Sequence, residues 1–333
     1  MKFKKLLTTI DAHTEGEPVR VVTGGIPHIP GKTMSEKRDF FKRNLNHLAT
    51  SLVDEPRGHK DMFICILTPP VTDEASLGII FMSPGGYVNM CGHGSIGVAT
   101  VAIETGMIDP EEPVTEILMD TPAGTIRPRV NVENGKVKSV TLENIPSFLI
   151  KTETIEVPQF GKLQIDIAYG GNVFAIVEAK HLGIKADVAG INSIGSLLDQ
   201  LKESTNQQVD VRHPEIDYIR GVNLVLINDT PTHPKANIRN INYVGNGKID
   251  RSPCGTGTSA NMAVQYAKGK LNLGETFISE GILGRHFYGK LIKEVDVGGI
   301  RAVLPEVTGS AFITGMHHFV MDEDDPFKYG FRL

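Results

Sequence analysis

Two of the three cysteines stand in the same short pattern, Cys91-Gly92-His93-Gly94-Ser95 and Cys254-Gly255-Thr256-Gly257-Thr258, or C-G-x-G-[S/T], 163 residues apart in a chain of 333. Neither residues 94–103 nor residues 256–267 include a charged side chain. A helix with no charged face is a buried one, so each cysteine is expected to open a buried helix. A thiol at that position meets unpaired backbone N–H groups and the positive end of the helix dipole, both of which favour thiolate. The dipole contributes about 0.3–1 kcal/mol, a pKa change of roughly one unit or less. One motif alone is therefore weak evidence, and the pairing carries the signal.

Two thiols at two helix starts suit inversion at a carbon beside a carboxylate. If the two halves face each other, the sulfurs and both sets of N–H groups converge on one cleft. One thiolate removes the hydrogen from one face and the opposite thiol protonates the other, while the N–H groups hold the carboxylate and stabilise the charge that flows into it. Glycines 92, 94, 255 and 257 let the backbone approach a ligand closely. Asp250, four residues before Cys254, is a candidate partner for a substrate ammonium, with a solvated turn acid as the plain alternative. His93 is read as contributing its backbone N–H rather than a basic side chain. Cys65, inside the apolar run 62–67, reads as a small buried hydrophobe.

The elements that must hold these groups are mostly short strands. Residues 19–22, 62–67, 78–81, 137–142, 175–177 and 222–227 are β-branched runs bounded by Gly, Pro or Asn. Thr33 and Glu36 have capping-box spacing ahead of an amphipathic helix through Phe41, Leu45, Leu48 and Leu52, stopped by Pro56. A second such helix runs from Asn192, a candidate N-cap, through Ile194, Leu197, Leu198 and Leu201. Carrying the 163-residue offset forward aligns Gly106 with Gly269, each suited to a helix C′ position. The expectation is an α/β (α+β) protein of two similar lobes, each a sheet wrapped round a central apolar helix. The repeat offset sets the boundary between 125 and 135, giving residues 1–128 plus 309–333 as the first lobe and 129–308 as the second.

Composition narrows the class. Hydrophobic residues make up 40% and charged residues 22%, the net charge is -5, and tryptophan is absent, which fits a globular protein with a full core. A pI of 6.1 argues against nucleic acid as partner. No run approaches the roughly 18 apolar residues of a membrane helix, and residues 1–10 offer only the Leu6-Leu7 patch where a secretory peptide needs more. A cytoplasmic location is expected. Three cysteines are too sparse for a disulfide scaffold. The eleven histidines form no H-E-x-x-H and the cysteines no C-x-x-C, so no metal is expected; nor does any lysine motif suggest pyridoxal phosphate.

Two readings of other classes compete. Residues 92–97 fit G-x-G-x-x-G and residues 255–260 its alanine-ended variant, with Asp120 and Glu280 placed as ribose-binding acids would be, which suggests a nucleotide-dependent oxidoreductase. The context is wrong, because the second copy follows a polar segment ending in Pro253 rather than a buried strand. A non-catalytic amino-acid-binding protein could use the same helix starts, but binding needs neither sulfur and two-base inversion needs both.

The chain resembles the proline racemase family, of the diaminopimelate epimerase-like fold. The likeness is carried by Asp11-Ala12-His13-Thr14-Glu15-Gly16-Glu17-Pro18, Glu55-Pro56-Arg57-Gly58-His59, Asn89-Met90-Cys91-Gly92-His93-Gly94 and residues 250–258, and extends to His317-His318-Phe319 and Asp324-Asp325-Pro326. The resemblance implies two pseudo-symmetric lobes with mostly antiparallel sheets and an active site between them. It implies a cofactor-independent racemase with Cys91 and Cys254 as base and acid. Gly92, His93, Gly255 and Thr256 would bind the carboxylate through N–H groups, and Asp250 the ring nitrogen. A homodimer is implied as well. Family members that dehydrate trans-3-hydroxyproline replace the first cysteine by Ser or Thr, and Cys91 argues against that activity. The 4-hydroxyproline 2-epimerases carry a histidine where this chain has Asn223, and the apolar segment Ile80-Phe81-Met82 resembles the pocket wall of the proline racemases. Proline is therefore the expected substrate, with hydroxyproline epimerisation as the alternative and Asn223 and Met82 as candidate pocket residues.

Overall fold

A computed structural model describes residues 3–83, 85–188, 194–245 and 248–332. The chain divides into two compact units, Met1–Leu142 with Gly309–Leu333, and Glu143–Thr308. The first unit thus runs on to Leu142, past the 128/129 boundary set by the repeat offset, while the return at 308/309 coincides.

The first unit carries β1 (Phe3–Thr14), β2 (Glu17–Gly24), α1 (Met34–Asn44), α2 (Asn46–Val53), β3 (Ile64–Thr68), β4 (Leu77–Ser83), β5 (Gly86–Val88) and α3 (Gly92–Glu104). After them come β6 (Val114–Glu116), β7 (Met119–Thr121), β8 (Gly124–Ile126), β9 (Arg129–Glu133) and β10 (Lys136–Glu143). The second unit carries β11 (Phe148–Val157), β12 (Gly161–Tyr169), β13 (Val173–Glu178), α4 (Ala179–Leu182), α5 (Gly195–Gln208), β14 (Leu224–Asp229), β15 (Ile238–Gly245) and β16 (Lys248–Asp250). It continues with α6 (Gly255–Ala267), β17 (Thr276–Glu280), β18 (His286–Val297) and β19 (Ile300–Gly309), before β20 (Ala311–Asp322) returns to the first unit. All six expected strand segments fall in or overlap β2, β3, β4, β10, β13 and β14.

Within each unit the strands follow one plan. The order β20-β1-β2-β3-β4-β7-β8 in the first matches β11-β12-β13-β14-β15-β17-β18 in the second. In both, the second and third junctions are antiparallel then parallel, the fifth is parallel again, and the rest are antiparallel. A parallel junction needs a crossover. Helices α1 and α2 cross between β2 and β3, and α3 between β4 and β7; α4 and α5 cross between β13 and β14, and α6 between β15 and β17. Short antiparallel strands, β5 on β4 and β16 on β15, deliver the chain to each cysteine.

Strand alternation sorts the side chains between two helix layers. Ile80 and Met82 join Phe41, Leu48 and Leu52 of α1 and α2 in one core, while Phe81 between them lies against Gly94 of α3. Likewise Val225 and Ile227 pack with Leu198 and Leu201 of α5, and Leu226 packs with Cys254, Ala260 and Val264. Helix α3 is buried from Gly94 to Ile103, as its lack of charge requires. Helix α6 is buried only to Val264, and its last turn surfaces. Both helices end alike: Gly106 (φ 72°) and Gly269 (φ 69°) are left-handed. Their N–H groups meet Ile103 O and Tyr266 O, and the following N–H groups meet Ala102 O and Gln265 O, a Schellman end in each copy.

Two details depart from the periodicity. Thr33 caps α1 by accepting Glu36 N–H at 3.1 Å, but Glu36 takes the N–H of Lys32 rather than of Thr33, at 2.7 Å. The helix then breaks at Leu45 (φ -124°, ψ 9°), beside Asn44, whose amide turns back to Phe40 O at 2.9 Å. Asn192 lies outside the described residues; α5 is described from its N-cap Ile194. Among the described residues no helix is long and apolar enough to cross a membrane.

The motif residues away from the cysteines hold β20 in place. Buried Arg20 donates to both oxygens of Asp11, to Leu52 O at 2.7 Å and to Arg57 O at 2.6 Å, and its guanidinium lies 4.4 Å from the Phe319 ring centroid. Arg57 in turn donates to Val320 O and to Asp325, each at 3.2 Å. A buried ion pair adds little net stability, but one left without its partner is costly; the pattern therefore locks β1, β2, the end of α2 and β20 into one arrangement.

Asp120 and Glu280, the two acids placed where a ribose could be bound, do other work. Asp120 is 2% exposed and accepts from Val71 N, Thr72 N, Thr72 Oγ1 and Thr125 Oγ1. Glu280 is fully buried and accepts from Thr232 N, Thr232 Oγ1 and His233 N. Thr72 and Thr232, like Asp120 and Glu280, are 160 residues apart, so each unit folds one loop over one carboxylate. Burial pushes the Asp120 carboxyl up, and the four donors together outweigh it and hold it below its ordinary range. A depressed carboxylate stabilises the fold above its unfolded titration range and loses that contribution as pH falls through its folded value. Asp120→Asn is expected to lower the unfolding free energy by about 1–3 kcal/mol near neutral pH. In urea titrations the gap from the wild type should shrink as the pH is lowered, and a gap constant with pH would contradict the assignment.

Candidate active site

Each cysteine is the N-cap of its helix, and the two are dressed differently. Cys91 is half-buried in extended backbone (φ -146°, ψ 120°), and its carbonyl accepts the Ser95 N–H at 2.9 Å as the first helical bond. The helix start is pinned from β1, where Thr14 Oγ1 donates to His93 O at 2.8 Å. From the sequence His93 has a backbone role; the structure adds its ring, which stands edge-on to Phe63 at 4.5 Å and brings Nδ1 to 3.0 Å from Cys91 Sγ.

Gly94 sits where β3 and β4 come closest to α3. A Cβ there would lie 3.0 Å from Cys65 Sγ and Phe63 Cε1 and 3.3 Å from Phe81 Cδ1. Cys65 is fully buried, and burial, with Cys91 adding to it, pushes its thiol well up; it packs as an apolar residue. Gly92 and Gly255 show the opposite surroundings. A Cβ on Gly92 would touch only Leu142, at 3.9 Å, and one on Gly255 would meet nothing within 4 Å. Both first-turn glycines therefore face open space.

Cys254 is 5% exposed and has the uncommon backbone φ of 61°. For a residue with a side chain this costs about 1–3 kcal/mol and persists only where its surroundings hold it there. They do: Cys254 N–H donates to Ser252 Oγ at 3.1 Å, and Ser252 donates from its N and Oγ to Asp250 Oδ1 at 2.9 and 2.7 Å. Asp250 therefore stands at the base of the turn that presents Cys254. Its sulfur accepts Gly257 N–H at 3.3 Å and the Asn242 amide at 3.0 Å, with Thr256 Oγ1 3.5 Å away.

Sequence reasoning missed Asn242 and Asn240. Asn240 donates to Pro253 O at 3.1 Å and to Ser279 Oγ at 2.7 Å, fixing the residue before Cys254. The available signal was two asparagines at period 2 beside Ile241, Tyr243 and Val244, which places both on the face toward α6. Of the candidate pocket residues, Met82 lies in the core with α1 and α2, on the strand face away from α3. Asn223 is exposed at the start of β14, and its Oδ1 accepts Val173 N–H at 3.4 Å.

The whole chain is similar to known proteins. The family model described as proline racemase matches residues 9–332. The chain is 50% identical to a proline racemase of Acetoanaerobium sticklandii and 47% identical to one of Clostridioides difficile, with 100% of both chains covered in each case. Among solved structures, a hydroxyproline epimerase from Agrobacterium vitis with bound trans-4-OH-L-proline superposes with a TM-score of 0.88 at 34% identity, covering 100% of this chain and 97% of that one.

The two kinds of glycine make a paired prediction. Gly94→Ala forces its methyl against Cys65 and Phe63 and is expected to lower stability by about 1–3 kcal/mol. Gly255→Ala, projecting into open space, is expected to stay within about 0.5 kcal/mol of the wild type. Chemical denaturation of both variants checks this, and equal losses would contradict it.

Proposed function

Because the chain belongs to the proline racemase family, we propose that it inverts proline at Cα with Cys91 and Cys254 as the two acid/base groups and without a cofactor. The observation that carries the reading is that both cysteines are N-caps at the same place of a repeated plan, each followed by a glycine that faces open space. The reaction has the same near-symmetry, since substrate and product differ only in hand.

In the proposed step a thiolate takes the Cα hydrogen as a proton, the electron pair moves into the carboxylate, and the other thiol protonates the opposite face. The first sulfur ends as thiol and the second as thiolate, ready for the opposite enantiomer. Backbone N–H groups of Gly92, His93, Gly255 and Thr256 hold the carboxylate, where donors aimed at developing charge contribute most. Asp250 takes the ring ammonium, whose positive charge stabilises the neighbouring carbanion. The reading requires both sulfurs to reach one carbon. A homodimer belongs to it on the strength of family membership.

Proline as substrate is supported by the names of the two bacterial relatives and by Asn223, whose oxygen already serves Val173. The bound ligand of the Agrobacterium vitis protein makes trans-4-hydroxy-L-proline the second compound to try. Optical rotation of each is to be followed with the purified protein. L-Proline is expected to lose its rotation, and Cys91→Ser or Cys254→Ser to slow this by about 10²–10⁴-fold while pyrrole-2-carboxylate still binds. Near-normal turnover by either variant would remove the two-thiol mechanism. Faster conversion of hydroxyproline would overturn the substrate.

A further inference from the structure

We propose that Asn242 is a positioning residue that holds Cys254 as the resting thiolate, so that Cys254 rather than Cys91 is the base of the free protein. This rests on the two-thiol reading above. Asn242 is 1% exposed, and its Nδ2 lies 3.0 Å from the Cys254 sulfur. Among the described residues its Oδ1 is buried without a hydrogen-bond partner. Turning the amide over would direct oxygen at sulfur and leave an NH₂ group, two donors, in that place; an under-satisfied carbonyl is the cheaper choice. The amide thus forgoes a bond at its oxygen and donates to sulfur. The Gly257 N–H donates to the same atom, and a thiolate accepts two donors far better than a thiol does.

Among the described residues, the matching strand position of the first unit carries no amide. Gly78 pairs with Asp120 and Arg239 with Glu280 across the matching parallel junctions, so three residues further on Phe81 stands where Asn242 does. Phe81 lies against Gly94 and offers no donor. The contact of Cys91 with His93 Nδ1 runs in either direction according to the tautomer.

Around Cys254 the packing from β13, β14 and α6 is apolar, with Phe174, Leu226, Ala260 and Val264, and burial there favours the thiol. Charged groups on the elements around it include Asp250, joined to it through Ser252, its chain neighbour Arg251 and, paired with each other, Arg239 of β15 and Glu280 of β17. Asp250 also favours the thiol by charge. The amide and the N–H oppose these, and without the amide the balance tips.

The test is a pH titration of thiolate absorbance in the ultraviolet, helped by the absence of tryptophan. The Cys91→Ser protein reports Cys254 and the Cys254→Ser protein reports Cys91, since burial keeps Cys65 protonated. The Cys254 midpoint is expected to lie below that of Cys91. Adding Asn242→Leu to Cys91→Ser should raise it by about one unit, about tenfold less thiolate at neutral pH; Asn242→Asp should raise it further. Circular dichroism checks folding, and if the leucine variant does not fold, the isosteric aspartate decides. A midpoint unmoved by both substitutions, or a Cys91 midpoint below that of Cys254, overturns the proposal. Because the readout needs no turnover, failure of the wild type to racemise proline would remove the two-thiol reading separately.

Discussion

A cysteine can open a buried helix only where the sheet delivers the chain to that helix's first turn, and this constraint governs the rest of the molecule. Helix α3 has no charged residue between Gly94 and Ile103 and must be covered on all sides, so its start cannot drift. Thr14 holds the His93 carbonyl and Gly94 closes on Cys65 and Phe63. At Cys254 the same fixity is reached by strain, with a positive φ held by the Asp250–Ser252 turn and by Asn240. The first residue after each cysteine is then the open one, and its N–H groups are what an anion can approach.

The two units show how a repeat serves a reaction that is nearly its own reverse. Strand order, junction sense, crossover helices, Schellman ends and loop-holding carboxylates recur. The differences near the cysteines include His93 against Thr256 beside the sulfurs, Phe81 against Asn242 beneath the helix starts, and extended backbone at Cys91 against a positive φ at Cys254. On the reading proposed above, Asn242 in β15, with Phe81 at the matching place in β4, sets which of the two sulfurs rests as thiolate.

Much of this was legible in the sequence because it depends on local chemistry. The C-G-x-G pattern, the uncharged stretches behind it, the C′ glycines and the Thr33 cap all follow from helix-end physics, and the structure has each of them. What was not legible depends on tertiary partners. Periodicity ran through Leu45 because it records which face is apolar and not where the backbone turns. Asp120 and Glu280 looked like ligand-binding acids because spacing cannot show that a loop folds over a carboxylate. Met82 and Phe81 are adjacent in sequence and on opposite faces of β4. The motif residues Asp11, Arg57 and Asp325 carry the family likeness and serve here to hold β20: Asp11 pairs with Gly315 and faces His317, Arg57 donates to Val320 O, and Asp325 accepts from Arg57.

The central claim is that two different sulfurs handle the proton, and the fate of the Cα hydrogen tests it most directly. L-Proline is incubated with the protein in D₂O, and product and residual substrate are separated by hand at low conversion. The account predicts D-proline carrying deuterium at Cα from the first turnovers and residual L-proline still carrying protium. D-Proline that retains the original hydrogen would show one group working both faces and would contradict the account.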